Sequence, residues 1–320
     1  MSDPQKVWLR RLTKLNPNVQ HARGTGAARF APHTPILLLA LIDLAEAGEL
    51  THPRLPFARG LRLRFNELWE SVVRRWTTKP DPFLPFHHLS TQGFWRALRL
   101  NGELSESPDS TRLIELHPEF FDLLQQPHFR ALARTLLIST WFPPAEQISL
   151  RAALGLDADL AAAEPPVVEE DRSVHEATGR DARFRIQVIV QYQYTCALTG
   201  YSLTATRSGA TIVEAAHIAA FADTRNNDTR NGLALTPDAH WSFDEGLWTV
   251  DNDLRVVVAN DVFADWSPEG ASLKHRHGRP LHFAPSTRLR PERHYLEWHR
   301  QKRFAASEST VAPKSPVIPQ

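Results

Sequence analysis

Residues 36–44 read ILLLALIDL, and no other stretch restricts the fold of this chain as strongly. Thr34-Pro35 supplies a helix start and Gly48 a stop, so the run is expected to be a helix. A helix apolar nearly all round has no face to give to water and belongs inside a domain core. Asp43 interrupts the run, and nine residues fall well short of the roughly 20 that a membrane span needs. The opening MSDPQKVWLRRL has no signal-peptide core. A single cysteine, Cys196, excludes an intrachain disulfide and a Cys-X-X-Cys zinc site. These features lead to the expectation of a soluble, cytoplasmic protein without a membrane partner.

Charge divides the 320 residues unevenly. Residues 1–145 carry 18 Lys+Arg against 13 Asp+Glu, and the first 80 alone carry 13 against 6. Residues 146–181 reverse the sign, with 3 against 9. A basic first segment favours a polyanionic partner, because each neutralised phosphate releases a counterion. The reading is therefore a first domain over residues 1–145, an acidic, Ala- and Pro-rich and partly helical linker over 146–180, a second domain over 181–304, and a disordered tail over 305–320.

In the first domain, a basic helical stretch (VWLRRLTKL) precedes a Gly-rich loop over residues 21–33. A second helix is expected over 60–76, with Leu63, Leu68, Val72, Val73 and Trp76 as its apolar members. The proline-rich PDPFLPFHHLSTQGFW is not expected to be helical before Thr91. A short strand over 112–117 leads to helices near 119–125 and 128–139, each introduced by a proline. The second domain is read as a helix over 182–193 capped by Asp181, strands at TIVEAA and GLAL, and a hairpin LWTV-DND-LRVVV.

Chemistry concentrates in TIVEAAHI and NGLALTPDAHWSFDEG. His217 ends an apolar strand, and Asn231-Gly232 stands where a polar loop turns into the next strand. Thr236 is placed to cap a helix with its hydroxyl, Pro237 suits the first helical position, and Gly246 ends the helix. His240 then sits just behind the first turn. Strand, histidine, loop, asparagine, strand, helix and histidine in this order could hold one divalent cation, or present a neutral imidazole for proton abstraction.

Cys196-Ala-Leu-Thr-Gly, Glu214-Ala-Ala-His-Ile, Asn231-Gly-Leu-Ala-Leu, and His240 with Phe243-Asp244 and Gly246 together resemble the HNH endonuclease family, in its ββα-metal version, over residues 183–260. The resemblance implies metal-assisted phosphodiester hydrolysis. It makes His217 the general base, Asn231 the residue that braces the loop and orients that base, and His240 a metal ligand. Histidine titrates near about 6.5 and so is largely neutral at cellular pH. Ala216 stands where many such sites carry a further ligand. Glu214, expected on the same strand face as His217, is the candidate second ligand, with Asp244 and Asp238 behind it. Imidazole and oxygen donors suit Mg²⁺ or Mn²⁺, and also Co²⁺ or Ni²⁺. Cutting both strands of a duplex takes two sites or two events, so a homodimer is expected.

In the first domain, Ala31-Pro-His-Thr-Pro-Ile-Leu, Pro85-Phe-His-His-Leu and Gly93-Phe-Trp resemble the sulfur-binding domains that read phosphorothioate-modified DNA, over residues 5–140. This resemblance implies an apolar notch formed by Leu84, Pro85, Phe86, His87 and His88, with Arg29 and His33 reaching phosphate or base edges. Related domains often carry an aromatic ring where Leu84 stands. The combined expectation is an α+β chain, with a mainly helical DNA-reading domain, an acidic linker and a C-terminal ββα-metal nuclease domain. Its expected activity is that of a type IV-like, modification-dependent restriction endonuclease acting on phosphorothioate DNA. The alternatives are an HNH endonuclease whose reader senses a methylated or hydroxymethylated base, and a non-catalytic DNA-binding regulator.

Overall fold

The computed structural model describes residues 3–16, 19–21, 28–57, 59–72, 80–156, 169–205, 210–259, 262–268, 272–284, 287 and 289–304. The expected disordered tail, Val73 and Trp76 lie outside them. Two compact units emerge, Met1–Ile186 with Thr204–Ala210, and Gln187–Leu203 with Thr211–Gln320.

The first unit is mainly helical. Helix α1 (Asp3–Leu12) is followed by a small antiparallel pair, β1 (Val19–His21) and β2 (Ala28–Phe30), where the sequence reading had only a loop. Helix α2 (His33–Glu46) carries the apolar run, and its residues from Ile36 through Ile42 are at most 1% exposed. Asp43, the residue that breaks that run, accepts from Arg64 Nε at 2.8 Å, and Glu49 holds the same guanidinium at 2.7 Å. The Arg64 side chain is 3% exposed. A buried cation needs such partners, and the half-buried Asp43 supplies one at the edge of the core.

Strand β3 (Arg54–Pro56) and helix α3 (Arg59–Glu70) follow, with Leu61, Phe65, Leu68 and Trp69 buried against α2. The stretch Phe83–His88 is helix α4, contrary to the expectation that nothing before Thr91 would be helical. Pro82 is its N-cap and Pro85 lies in its first turn, where backbone N–H groups have no intrahelical acceptor. Proline costs nothing there, so both prolines are compatible with a helix. Strands β4 (Trp95–Leu98) and β5 (Leu113–Leu116) complete an antiparallel sheet in the order β3-β5-β4. Helices α5 (Pro118–Leu124), α6 (Pro127–Trp141) and α7 (Pro144–Ala153) close the unit.

Helix α8 (Glu169–Gln191) runs through residues read as linker and helix start. Asp181 thus lies inside that helix and not at its start. Gly179 explains the close fit of α8 on α7, because a Cβ at that position would lie 2.2 Å from the Ser149 carbonyl oxygen.

The second unit is built on small antiparallel pairs. Strands β6 (Glu214–His217) and β7 (Gly232–Leu235) pair with His217 opposite Gly232 and Glu214 opposite Leu235. The short helix α9 (Phe221–Thr224) lies in the loop between them. Helix α10 (Pro237–Asp244) follows β7 directly, and Gly246 ends it at φ +70°. The expected hairpin is present as β8 (Trp248–Val250) and β9 (Val256–Val258), and α11 (Arg293–His299) packs on β8. Among the described residues, no helix is long and apolar enough to cross a membrane.

Candidate active site

The β6–β7 hairpin and α10 form a ββα unit that positions the three singled-out polar residues. Asn231 is fully buried. Its side chain accepts from the Ala219 N–H at 2.8 Å and donates to the carbonyls of Ala219 (3.0 Å) and Asn226 (3.3 Å). The Ile218 N–H donates to its backbone carbonyl at 2.9 Å. One side chain therefore ties the end of β6 to the end of the loop before β7. A buried amide with its bonds satisfied fixes geometry strongly, because breaking them strands polar groups away from water.

His217 leaves β6 at that braced point, half-buried. Its Nε2 pairs with Asn227 Oδ1 at 2.8 Å, and its ring lies 5.6 Å from that of Phe221. Sequence reasoning did not single out Asn227. The polar run DTRNNDTRN was its signal, but nothing in such a run tells which amide turns inward.

His240 is one turn into α10, its side chain 25% exposed. Nδ1 lies 2.7 Å from Glu214 Oε1, and Nε2 lies 3.4 Å from Asp244 Oδ2 at the i+4 position. Glu214 is thus brought to His240, but the expectation that it shares a face with His217 does not hold. Three positions separate them on an unbroken ladder, and alternation sends their side chains to opposite faces. Thr236 occupies the N-cap position without a side-chain capping bond. Its hydroxyl instead lies 3.6 Å from the buried Cys196 Sγ, which also accepts from the Thr236 N–H at 3.4 Å. Cys196 is a core residue, 0% exposed.

Behind α10, His299 is stacked on Phe243 at 3.7 Å and held by Thr249 Oγ1 (2.9 Å) and the Phe243 carbonyl (3.0 Å). Burial pushes its pKa down to about 4. Its place is structural, and the sequence reading passed over it.

Residues 196–251 match the family model described as HNH endonuclease. These residues are an HNH endonuclease domain. The match takes in β6, the braced loop, β7, α10 and β8, so His217, Asn231 and His240 all fall within the HNH domain. HNH endonucleases generally use a divalent metal ion. Among the described residues of this chain, no group of three or more His, Cys, Asp or Glu forms a complete metal cage. The HNH domain does present an imidazole nitrogen and a carboxylate oxygen 3.4 Å apart on one helix face, at Nε2 of His240 and Asp244. Such a partial set suits a hard cation that fills its remaining positions with water and phosphate oxygens. A solved structure titled "Modification dependent TagI restriction endonuclease" is similar at 21% identity, over 38% of this chain and 37% of that one, with a TM-score of 0.30. The likeness thus spans little more than a third of that protein. No curated protein matches this chain.

The reader residues are spread differently from the expectation. Pro85, Phe86 and His87 are buried, whereas Leu84 (41% exposed) and His88 face solvent. Phe86 packs on Phe57 at 4.5 Å, and its carbonyl accepts from the Trp95 indole. His87 Nδ1 lies 2.7 Å from Thr111 Oγ1, and burial pushes its pKa down. His33, at the start of α2, is half-buried with its ring 4.3 Å from that of Trp69. Arg29 lies in β2, opposite Gln20, and its side chain is outside the described residues.

Proposed function

We propose that the chain is a metal-dependent DNA endonuclease whose first unit selects modified DNA. The observation that carries the nuclease reading is the loop between β6 and β7 braced by the buried Asn231, with His217 at the end of β6 and His240 on α10, inside the HNH-matched residues. With Nε2–H donating to Asn227, Nδ1 of His217 is the ring's proton acceptor. In hydrolysis it takes the proton of the attacking water as the new P–O bond forms and one ester P–O bond breaks. Asn231 acts by holding the end of β6, and with it the base, at a fixed distance from α10. His240 and Asp244 are the residues that would hold the cation, and the Glu214 carboxylate fixes the His240 ring through Nδ1. When bound, the cation offsets charge on the scissile phosphate and leaving oxygen.

The finer reading is that the first unit recognises phosphorothioate DNA. Sulfur in place of a non-bridging oxygen is larger and less hydrated, and an exposed apolar side chain beside a cationic or polar group would favour it. Leu84 with His88 supplies that combination on α4. A second reading, a modified-base sensor, is favoured by a cavity of about 790 Å³ in the same unit. Trp95, Phe121, Arg96 and Glu115 are among its walls, and a base extruded from a duplex needs such a pocket. Binding titrations of the full chain in EDTA, with matched phosphorothioate, methylated and unmodified duplexes, test the two. Preference for phosphorothioate supports the first, preference for the methylated duplex supports the second, and equal affinity for all three contradicts both.

A further inference from the structure

The helix α1 carries two stripes at helical spacing. Trp8, Leu12 and Leu15 are buried, while Val7, Arg10, Arg11 and Lys14 follow at i, i+3, i+4 and i+7 on the neighbouring face and are exposed. The exposed stripe borders an open groove of about 420 Å³ whose floor is the buried Phe94. Asn16 and Gln92 close its end, the Asn16 N–H donating to Gln92 Oε1 at 3.0 Å. Among the described residues, the lining holds three cations and no carboxylate. Glu119 meets the far edge of Trp8, accepting from its indole N–H at 3.3 Å, and is not part of the groove.

We propose that this groove seats one strand of the sugar-phosphate backbone of duplex DNA. The proposal rests on the nuclease reading for its ligand class. Arg10, Arg11 and Lys14 span about one helical turn, a rise of roughly 6 Å, which is near the separation of successive phosphates on one strand. The Arg11 guanidinium lies 4.4 Å from the Trp8 ring centroid, so it is held by the aromatic face and loses less freedom on meeting a phosphate. Asn16 and Gln92 supply neutral polar groups at the groove's end, as is common beside phosphate contacts. A role at the helix C-terminus alone accounts for Arg10 and Arg11. It does not account for Lys14, beyond the last helical residue and on the same stripe, or for a concave lining free of acid.

The test is anisotropy titration of the full chain with unmodified fluorescent duplex DNA in EDTA, at 50 and 200 mM salt. The wild type is compared with Arg10→Gln/Lys14→Gln and with a charge-matched control, Arg99→Gln/Arg180→Gln. The control removes two cations that are already paired with the Glu103 and Glu176 carboxylates. Loss of two phosphate contacts lowers the salt slope by about 1.8, so the rise in Kd between the two salts becomes about tenfold smaller in the groove variant. The control is expected to keep the wild-type slope, and thermal melts should show all three chains folded. Parallel salt dependence of wild type and groove variant would overturn the proposal, as would an equal loss in the control. Cutting assays with Mg²⁺ or Mn²⁺ on the same preparations keep the nuclease reading separate. A wild type that binds through the groove but never cuts contradicts the nuclease reading alone.

Discussion

The carboxylate of Glu214 lies 2.7 Å from Nδ1 of His240, at the start of β6 and one turn into α10. That contact fixes the ring so that Nε2 points along the helix toward Asp244, 3.4 Å away. Glu214→Ala is expected to raise the metal concentration for half-maximal cutting by about 10–100-fold, the range for loss of a carboxylate behind a ligating histidine. Asp244→Ala should raise it further. A metal titration of plasmid cutting measures both, and curves that coincide with wild type would remove these two residues from the cation's surroundings.

Asn231 offers a test of the brace. Asn231→Ala leaves the Ala219 N–H and carbonyl without their partner in a buried position. The expected loss is about 2–4 kcal/mol, measured by urea denaturation of the second unit. Unchanged stability would show that the loop does not depend on this amide.

His299 makes the second unit acid-sensitive. Its folded pKa, about 4, lies below the ordinary value of 6.5 because burial disfavours the imidazolium. The unfolded chain therefore binds the extra proton, and the contribution to stability is complete above pH 6.5 and lost as pH falls toward 4. Between pH 7.5 and 5 the loss should be about 2 kcal/mol, and His299→Gln should flatten that dependence while lowering stability throughout. Urea midpoints at the two pH values decide it, and an equally steep fall in the variant would assign the acid sensitivity elsewhere.

The reader proposal now distinguishes neighbours on α4. Leu84→Asp places a carboxylate on an exposed position, and is expected to abolish preference for phosphorothioate DNA without shifting the melting temperature. Pro85→Asp puts a charge in a buried first turn and should lower the melting temperature first. Melts and paired binding titrations check both. A Leu84→Asp chain that retains a preference would move the reading away from α4.

Much of the second unit was legible because local signals and tertiary demands agree there. The strand GLAL, the Thr236-Pro237 helix start and Gly246 all lie where the sequence pattern put them. The apolar run of α2 was equally direct. Failures arose where a residue has two local meanings. The proline-rich stretch before Thr91 is not expected to be helical, yet Pro82 and Pro85 sit at the cap and in the first turn, where a proline is harmless. Asp181 had the chemistry of a cap, yet it lies inside α8. Thr236 stands at the cap position, but its hydroxyl is directed to Cys196. Asn227, His299 and the Arg64 cluster depend on contacts between distant segments, which spacing along the chain does not encode.

The central claim is that His217 is the base of a metal-dependent nuclease. Plasmid cutting by His217→Ala and wild type, at saturating Mg²⁺ or Mn²⁺ and with DNA binding measured in parallel, tests it most directly. The account predicts a loss of cutting rate of about 10²–10⁴-fold with binding retained, and wild-type cutting that stops in EDTA. Near wild-type cutting by the variant, or wild-type cutting that survives thorough chelation, would contradict it.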